Sequence, residues 1–534
     1  MQHLIVAPVV LPIAVCAVML AFNERRRMLK RALSLATTAA LMVIAALILW
    51  QADKTGVPQV YLLGNWSAPF GIVLVADRLS AMMLCLVSVL GFTALLYSFA
   101  RWDRSGPRFH VLFLLLLAGV NGAFLTGDLF NLFVFFEVLL AASYGLILHG
   151  AGEERTRASL HYITINIATS LLFLIGVAMI YAVTGTLNMA DLAARMATVP
   201  PEDLMLLEAG AAVLGIAFLV KSGIWPLSFW LVRTYAAAVP PVAAVFAVMT
   251  KVGIYIVLRL NSLLFGGAWA ETAGFADNWL IWAGFATIAF GVLGILSART
   301  LSRVAGHYVL VSSGTLLAVI GMGGLELTSA MLFYLVSSTL SVGALYLIIE
   351  PVERNADEDD IIPGLEEPVF DDEYTGAIEE EENEKGIVIP GSIAVLGGGF
   401  IFCTLLLAGL PPLSGFIAKF AIVDALFSGP VISAKAWILI TLIILSGLTT
   451  LVALTRAGID LIWTPAEDSP VHLNVTEIVP IGLLLAACLV SMILAGPIFS
   501  YMEAVAADLG DASLYIDAVM NAPRAGEPEM GEAL

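Results

Sequence analysis

Apolar runs long enough to cross a lipid bilayer recur along this chain from Leu4 to Ser500, separated by short polar stretches. A helix needs about 20 residues to cross the hydrocarbon. The pattern predicts an all-α polytopic membrane protein with about fourteen transmembrane helices, over 4–22, 31–50, 73–99, 109–127, 129–148, 159–183, 205–230, 236–260, 278–298, 304–323, 327–349, 391–427, 436–455 and 475–500. Gly127 and Asp128 are read as the boundary between the fourth and fifth spans.

Two spans carry breaks. The seventh holds Gly223 and Pro226, and the twelfth holds Pro411, Pro412 and Gly415. Proline removes a backbone donor and its ring clashes with the preceding turn. Helices seven and twelve are therefore predicted to be broken at mid-membrane, leaving carbonyls free to face water or polar side chains. The two breaks echo each other, WPLSF from Trp225 and PPLSGF from Pro411. Spans four to eight and nine to thirteen are candidates for two related units.

Composition strengthens this reading. The chain has 534 residues, 60% hydrophobic and only 13% charged, where a soluble domain carries about 25% charged residues. Cys16, Cys85, Cys403 and Cys488 all lie in apolar segments without CxxC spacing and are read as small buried hydrophobes. Nothing in the pattern calls for a metal or cofactor, and neither a P-loop nor a GxGxxG motif is present.

Charge gives the orientation. The first span precedes the basic cluster ERRRMLKR at Glu24 to Arg31, the reverse of a cleavable signal peptide. With the N-terminus outside, sixteen of the 25 basic residues fall in cytoplasmic connections and six on the outer side. Both termini are thus expected on the outer side of a bacterial inner membrane. The organisation expected is 1–108 for helices one to three, 109–260 for a first unit and 278–455 for a second, with 475–500 as the last helix. The second unit includes an acidic cytoplasmic loop, 350–386, and an acidic tail follows at 503–534. Glu350 to Lys385 alone holds sixteen acidic residues and two basic ones, which supplies most of the net charge of −18. It reads as a solvated loop.

The remaining three basic residues, Lys221, Lys251 and Lys419, lie inside spans, and so does Glu137 in NLFVFFEVLL. A charge at the bilayer centre is expensive, so such residues face a bundle interior or a water-filled path. One carboxylate and three amines strung through a bundle suit charge-coupled movement of protons or small cations. The simpler alternative is a set of buried pairs that only fix helix registry. His307, with Ser312 following it, and His161 are candidate relay groups, as is Ser228 beside the first break.

TGDLFNLFVFFEVLLAASYG, VKSGIWPLSFW, the Lys251 helix and AGLPPLSGFIAKF resemble the antiporter-like subunits shared by respiratory complex I and the multisubunit Mrp-type Na+/H+ antiporters. The resemblance covers about 110 to 455, and QVYLLGNWSAPFGIVLVADRLSAM near the start is similar to the D-subunit branch. It implies two inverted five-helix repeats, spans four to eight and nine to thirteen. It also implies a proton path through Glu137, Lys221, Lys251 and Lys419. The implied activity is proton translocation coupled to Na+ movement, driven by proton-motive force, within a hetero-oligomer of Mrp subunits. No redox cofactor or nucleic acid is implied. A proton-pumping subunit of a complex I-like or hydrogenase-like respiratory complex is the second reading, and a scaffold subunit the third. Complex I relatives often have His where this chain has Ser228 and Ser312, which implies water or hydroxyls at those points. Lys419 replaces the glutamate of one complex I relative.

Overall fold

The computed structural model describes residues 2–23, 25–150, 152–196, 198–266, 274–357, 391–428, 432–463 and 473–524. Most of the acidic stretch 350–386 lies outside the described residues.

Nineteen α-helices and one hairpin follow in order among the described residues, with short 3-10 and π turns between some of them. They are α1 (Ala7–Leu20), α2 (Arg27–Thr55), β1 (Gln59–Leu62), β2 (Val73–Ala76), α3 (Arg78–Ser98), α4 (Phe109–Leu125), α5 (Leu129–Ile147), α6 (Glu153–Thr184), α7 (Met189–Met196), α8 (Pro201–Lys221), α9 (Leu231–Ala237), α10 (Pro240–Leu260), α11 (Asp277–Ser297), α12 (Leu301–Met322), α13 (Leu325–Asp357), α14 (Gly391–Ala408), α15 (Ser414–Phe427), α16 (Ala434–Gly458), α17 (Val475–Ile493), α18 (Ala495–Gly510) and α19 (Ala512–Met520). Eleven are long and apolar enough to cross a membrane, and three shorter apolar helices, Ala7–Leu20, Phe109–Leu125 and Ile393–Ala408, fall in the remaining predicted spans. The chain is an all-α polytopic membrane protein.

The separation of α4 from α5 has a local cause. Asp128 caps α5 by accepting from the Asn131 amide at 2.8 Å, a typical N-cap bond. The Gly127 amide bonds the Val73 carbonyl of β2, and the Gly127 carbonyl accepts from Met189. The link is thus held in an extended conformation against the antiparallel β1–β2 hairpin.

α10 is the hub. All its residues from Pro241 to Leu260 are buried, and it packs against α13, α3, α8 and α12. α2 and α8 lie at the rim, with only 33% of their most apolar stretches buried. Gly119 lets α4 and α5 approach closely, since a Cβ there would sit 2.7 Å from the Leu139 amide. That contact fixes the helix that carries Glu137.

The C-terminal region differs from the expected helix 475–500 and tail 503–534. The last long helix ends at Ile493, and the chain turns into α18 and α19. Met502, Val505, Leu509, Tyr515, Ile516 and Val519 are buried, a helical apolar stripe inside a weakly acidic sequence. Arg78 clamps this region, donating from Nη1 to both Asp508 oxygens at 2.9 Å.

Candidate functional site

Glu137 projects from α5 and is half-buried. Its carboxylate accepts a short hydrogen bond from Ser170 of α6. No ion pair joins it to Lys221 among the described residues, although its charge acts on that lysine.

Lys221 is the last residue of α8 and is 6% exposed. Its Nζ has no hydrogen-bond partner and sits 4.8 Å from the centre of the Phe136 ring. A cation over an aromatic face gains electrostatic attraction from the ring quadrupole. The ammonium therefore rests on the residue next to Glu137 rather than on the carboxylate.

The end of α8 is a glycine cap. The Ile224 amide bonds the Leu219 carbonyl, and Gly223 takes φ +75°. Helical geometry resumes only at Leu231, and the turn is tied to α11 by a bond from the Trp225 amide to Thr287 at 3.0 Å. Pro226 stands in this turn, exposed. Ser228 is buried there with an unpartnered hydroxyl.

Lys251 is 2% exposed in the middle of α10. Gly253 presses this helix onto the end of α8, because a Cβ there would sit 3.0 Å from the Phe218 carbonyl and against Ser222. The hub lysine thus lies on a helix seated directly against the turn that follows Lys221.

The second break repeats the cap. The Leu410 amide bonds the Leu405 carbonyl, Gly409 takes φ +77°, and α15 starts at Ser414 after Pro411 and Pro412. Gly415 lies against the Leu406 carbonyl, where no side chain fits. Lys419 of α15 donates from Nζ to the Leu407 and Ala408 carbonyls, both at 3.0 Å.

Hydroxyls missed in the sequence extend this end. Tyr308 of α12 donates to the same Leu407 carbonyl at 3.1 Å. Ser312 bonds Ser338 at 3.0 Å, and Ser337 bonds Ser414 at 3.1 Å. Ser312, one of the expected relay positions, thus reaches from α12 to α13. Among the described residues, His307 and His161 make no hydrogen bond to another helix. The Nδ1 of His307 is 2.8 Å from the Arg303 carbonyl and its ring lies over Gly294, while His161 is exposed with Nδ1 3.0 Å from the Arg157 carbonyl. Each ring is used on its own helix and neighbour.

A polar cavity of about 420 Å³ opens where α10 begins, lined by Arg101, Arg155, Tyr235, Tyr346 and Glu350 among others. The hydroxyls of Tyr235 and Tyr346 are buried without hydrogen-bond partners. Ala243 of α10 lines it too, eight residues or about 12 Å along the helix from Lys251. No group of three or more His, Cys, Asp or Glu able to hold a metal exists among the described residues.

Residues 126–366 match the family described as NADH:quinone oxidoreductase/Mrp antiporter, TM. The D subunit of a probable K(+)/H(+) antiporter of Rhizobium meliloti (strain 1021) is 53% identical over 98% of this chain and 99% of its own length. The D subunit of a Na(+)/H(+) antiporter of Alkalihalophilus pseudofirmus is 32% identical over 97% of this chain and all of its own. A chain in the structure of the Mrp complex from Dietzia sp. shares the fold, with a TM-score of 0.82 at 24% identity over 97% of this chain and 99% of that one. The capped breaks, the lysine-bearing helices and the near-complete coverage of these relatives converge on one assignment: the chain belongs to the Mrp-type antiporter D subunits of the NADH:quinone oxidoreductase/Mrp antiporter family.

Proposed function

We propose that this chain is the proton-translocating subunit of a multisubunit monovalent cation/proton antiporter powered by proton-motive force. Glu137, Lys221, Lys251 and Lys419 carry the proton in this reading. The observation that supports it best is the placement of Lys221, a buried amine with no hydrogen-bond partner, between a carboxylate and the hub helix. A purely structural ion pair would have closed the distance. Half-burial of Glu137 on a membrane span calls for a partner subunit or water against that face.

The two breaks support a pair of repeats. Leu219, Gly223, Ile224, Pro226 and Ser228 correspond in order and spacing to Leu405, Gly409, Leu410, Pro412 and Ser414, with the same amide–carbonyl bonds. In this reading spans seven and twelve run in opposite directions across the membrane, as inverted repeats require. The termini lie on the outer side, on the positive-inside distribution of charge.

Sodium is the cation expected from the sequence, and potassium is the one in the name of the 53%-identical relative. The test is therefore run with each. Everted vesicles carrying the whole complex should show cation-dependent pH changes that Glu137→Ala abolishes while the complex still assembles. Near-normal exchange in that variant would overturn the proton path. A cation response to potassium alone would move the substrate from sodium to potassium.

A further inference from the structure

The ends of α2 and α4 meet in a region the proton path does not use. A cavity of about 280 Å³ opens there, lined by Arg27, Lys30, Asp103, Arg104, Arg108 and His110, with the backbone between them. Arg27, Arg104 and Arg108 are exposed at its rim, and Lys30 and His110 are buried at its base.

Among the described residues that line it, the one carboxylate, Asp103, is committed to Arg31, which donates from Nε and, at 2.7 Å, from Nη2. Burial disfavours the charged carboxylate, but the contacts with His110 and Arg31 outweigh it and hold Asp103 down to about 2. Among the described residues, none of Arg27, Arg104 and Arg108 pairs with a carboxylate. His110 is 6% exposed, lies 3.5 Å from Asp103 through Nε2, and neither ring nitrogen makes a hydrogen bond.

Two helix N-termini add to this. α2 begins after Arg26 and α4 after Arg108, and neither has a side-chain cap. The first turn of α2 has no acidic residue and carries Arg27. Cations at the positive end of a helix dipole are unfavourable unless an anion joins them.

We propose that this cavity binds the phosphate of an anionic phospholipid headgroup. A free phosphate would satisfy the same charges, but the surroundings favour a lipid. Leu20 is 58% exposed and Met28 77%, so apolar surface for an acyl chain runs directly beside the basic rim. Basic pockets beside membrane helices at the water boundary take such headgroups.

The test uses the purified, delipidated complex that contains this chain. Its Tm and its bound phospholipid phosphorus are followed while phosphatidylglycerol, phosphatidylcholine or inorganic phosphate is added. Phosphatidylglycerol should raise Tm well above phosphatidylcholine, and inorganic phosphate should not. Each basic group near the surface is worth about fivefold in affinity, so the double variant Arg104→Gln/Arg108→Gln should bind phosphatidylglycerol roughly thirtyfold more weakly. Arg299→Gln, which does not line the cavity, should bind as before. Equal stabilisation by phosphatidylcholine overturns the site. An equal loss in Arg299→Gln reduces it to diffuse surface charge and overturns it too. Inorganic phosphate matching phosphatidylglycerol overturns the lipid as its occupant.

Discussion

The two helix breaks share one backbone design and hold their lysines in opposite ways. Lys221 precedes its break and Lys419 follows its own. Side chains on a helix tilt toward its N-terminus. Lys221, ending α8, is therefore directed back along that helix, away from the turn, and comes to rest on Phe136. Lys419, early in α15, is directed back into the turn, where the last carbonyls of α14 receive it. With the two spans running in opposite directions, as proposed, both lysines lie on the same membrane side of their breaks. One lysine is left poised beside a carboxylate, and the other is anchored on a helix end whose dipole suits a cation. In the proposed proton path, the same backbone element thus serves as an exchange station at one break and a terminus at the other.

Removing the poised lysine should have the largest effect. Lys221→Met should lower cation-dependent proton exchange about a hundredfold or more, the scale of a lost proton-transfer group, with the complex still assembled. Combined with Glu137→Ala, it should add little, because residues acting as a unit are non-additive. Fully additive losses, measured in everted vesicles, would show that the two act separately and would break the contrast with Lys419.

The anchored lysine should be less tolerant of shape. At Gly409 a Cβ would lie 2.8 Å from Lys419 Cδ, and at Gly447 it would lie 3.4 Å from Nζ. Two glycines thus wall in a narrow amine. Lys419→Arg should lose exchange about tenfold despite keeping its charge, because a guanidinium is broader than an ammonium. Retained exchange would mean that charge alone matters there and that the carbonyl pair is incidental.

These contrasts set the limit of what the sequence displayed. Glu137, Lys221, Lys251 and Lys419 were legible because a charge inside an apolar run has few cheap explanations. The breaks were legible because Pro226 and Pro411–Pro412 cannot continue a helix. Ser170 and Tyr308 were not. Hydroxyls in apolar helices commonly bond the carbonyl four residues back, as Thr169 does to Ile165 and Ser222 to Phe218. Nothing local distinguishes those from the ones that reach another helix. His161 and His307 drew notice for the converse reason, since a titratable ring does so wherever it stands, and the structure places each against a carbonyl of its own helix. α18 and α19 were hidden by acidic composition, which masked their apolar stripe.

The backbone half of the comparison can be probed through stability. Gly409 holds φ +77°, where an alanine is strained, and it has no room for a Cβ. Gly409→Ala should destabilise the complex by about 1–2 kcal/mol or more. Gly398, in the regular part of α14 with open space around it, should tolerate alanine at no cost. If thermal unfolding treated the two alike, the capped turn would not be what holds the carbonyls toward Lys419.

The smaller effects should come from single hydroxyls, and the larger of these from the bond that holds Glu137. Ser170→Ala removes a donor to the carboxylate and leaves its position and the Phe136 platform in place. A hydrogen bond to a charged group contributes about 1.5–3 kcal/mol when fully buried. Glu137 is only half-buried, so water replaces part of that, and exchange should fall about fivefold rather than vanish. Ser170→Thr, which restores a hydroxyl, should recover most of the activity. The comparable change at the other break, Tyr308→Phe, removes one of the donors on the Leu407 carbonyl while Lys419 keeps both of its own bonds. It should change the rate less than Ser170→Ala does. Should Tyr308→Phe prove the more damaging, the hydroxyl network rather than the lysine anchor would be the limiting part of that half.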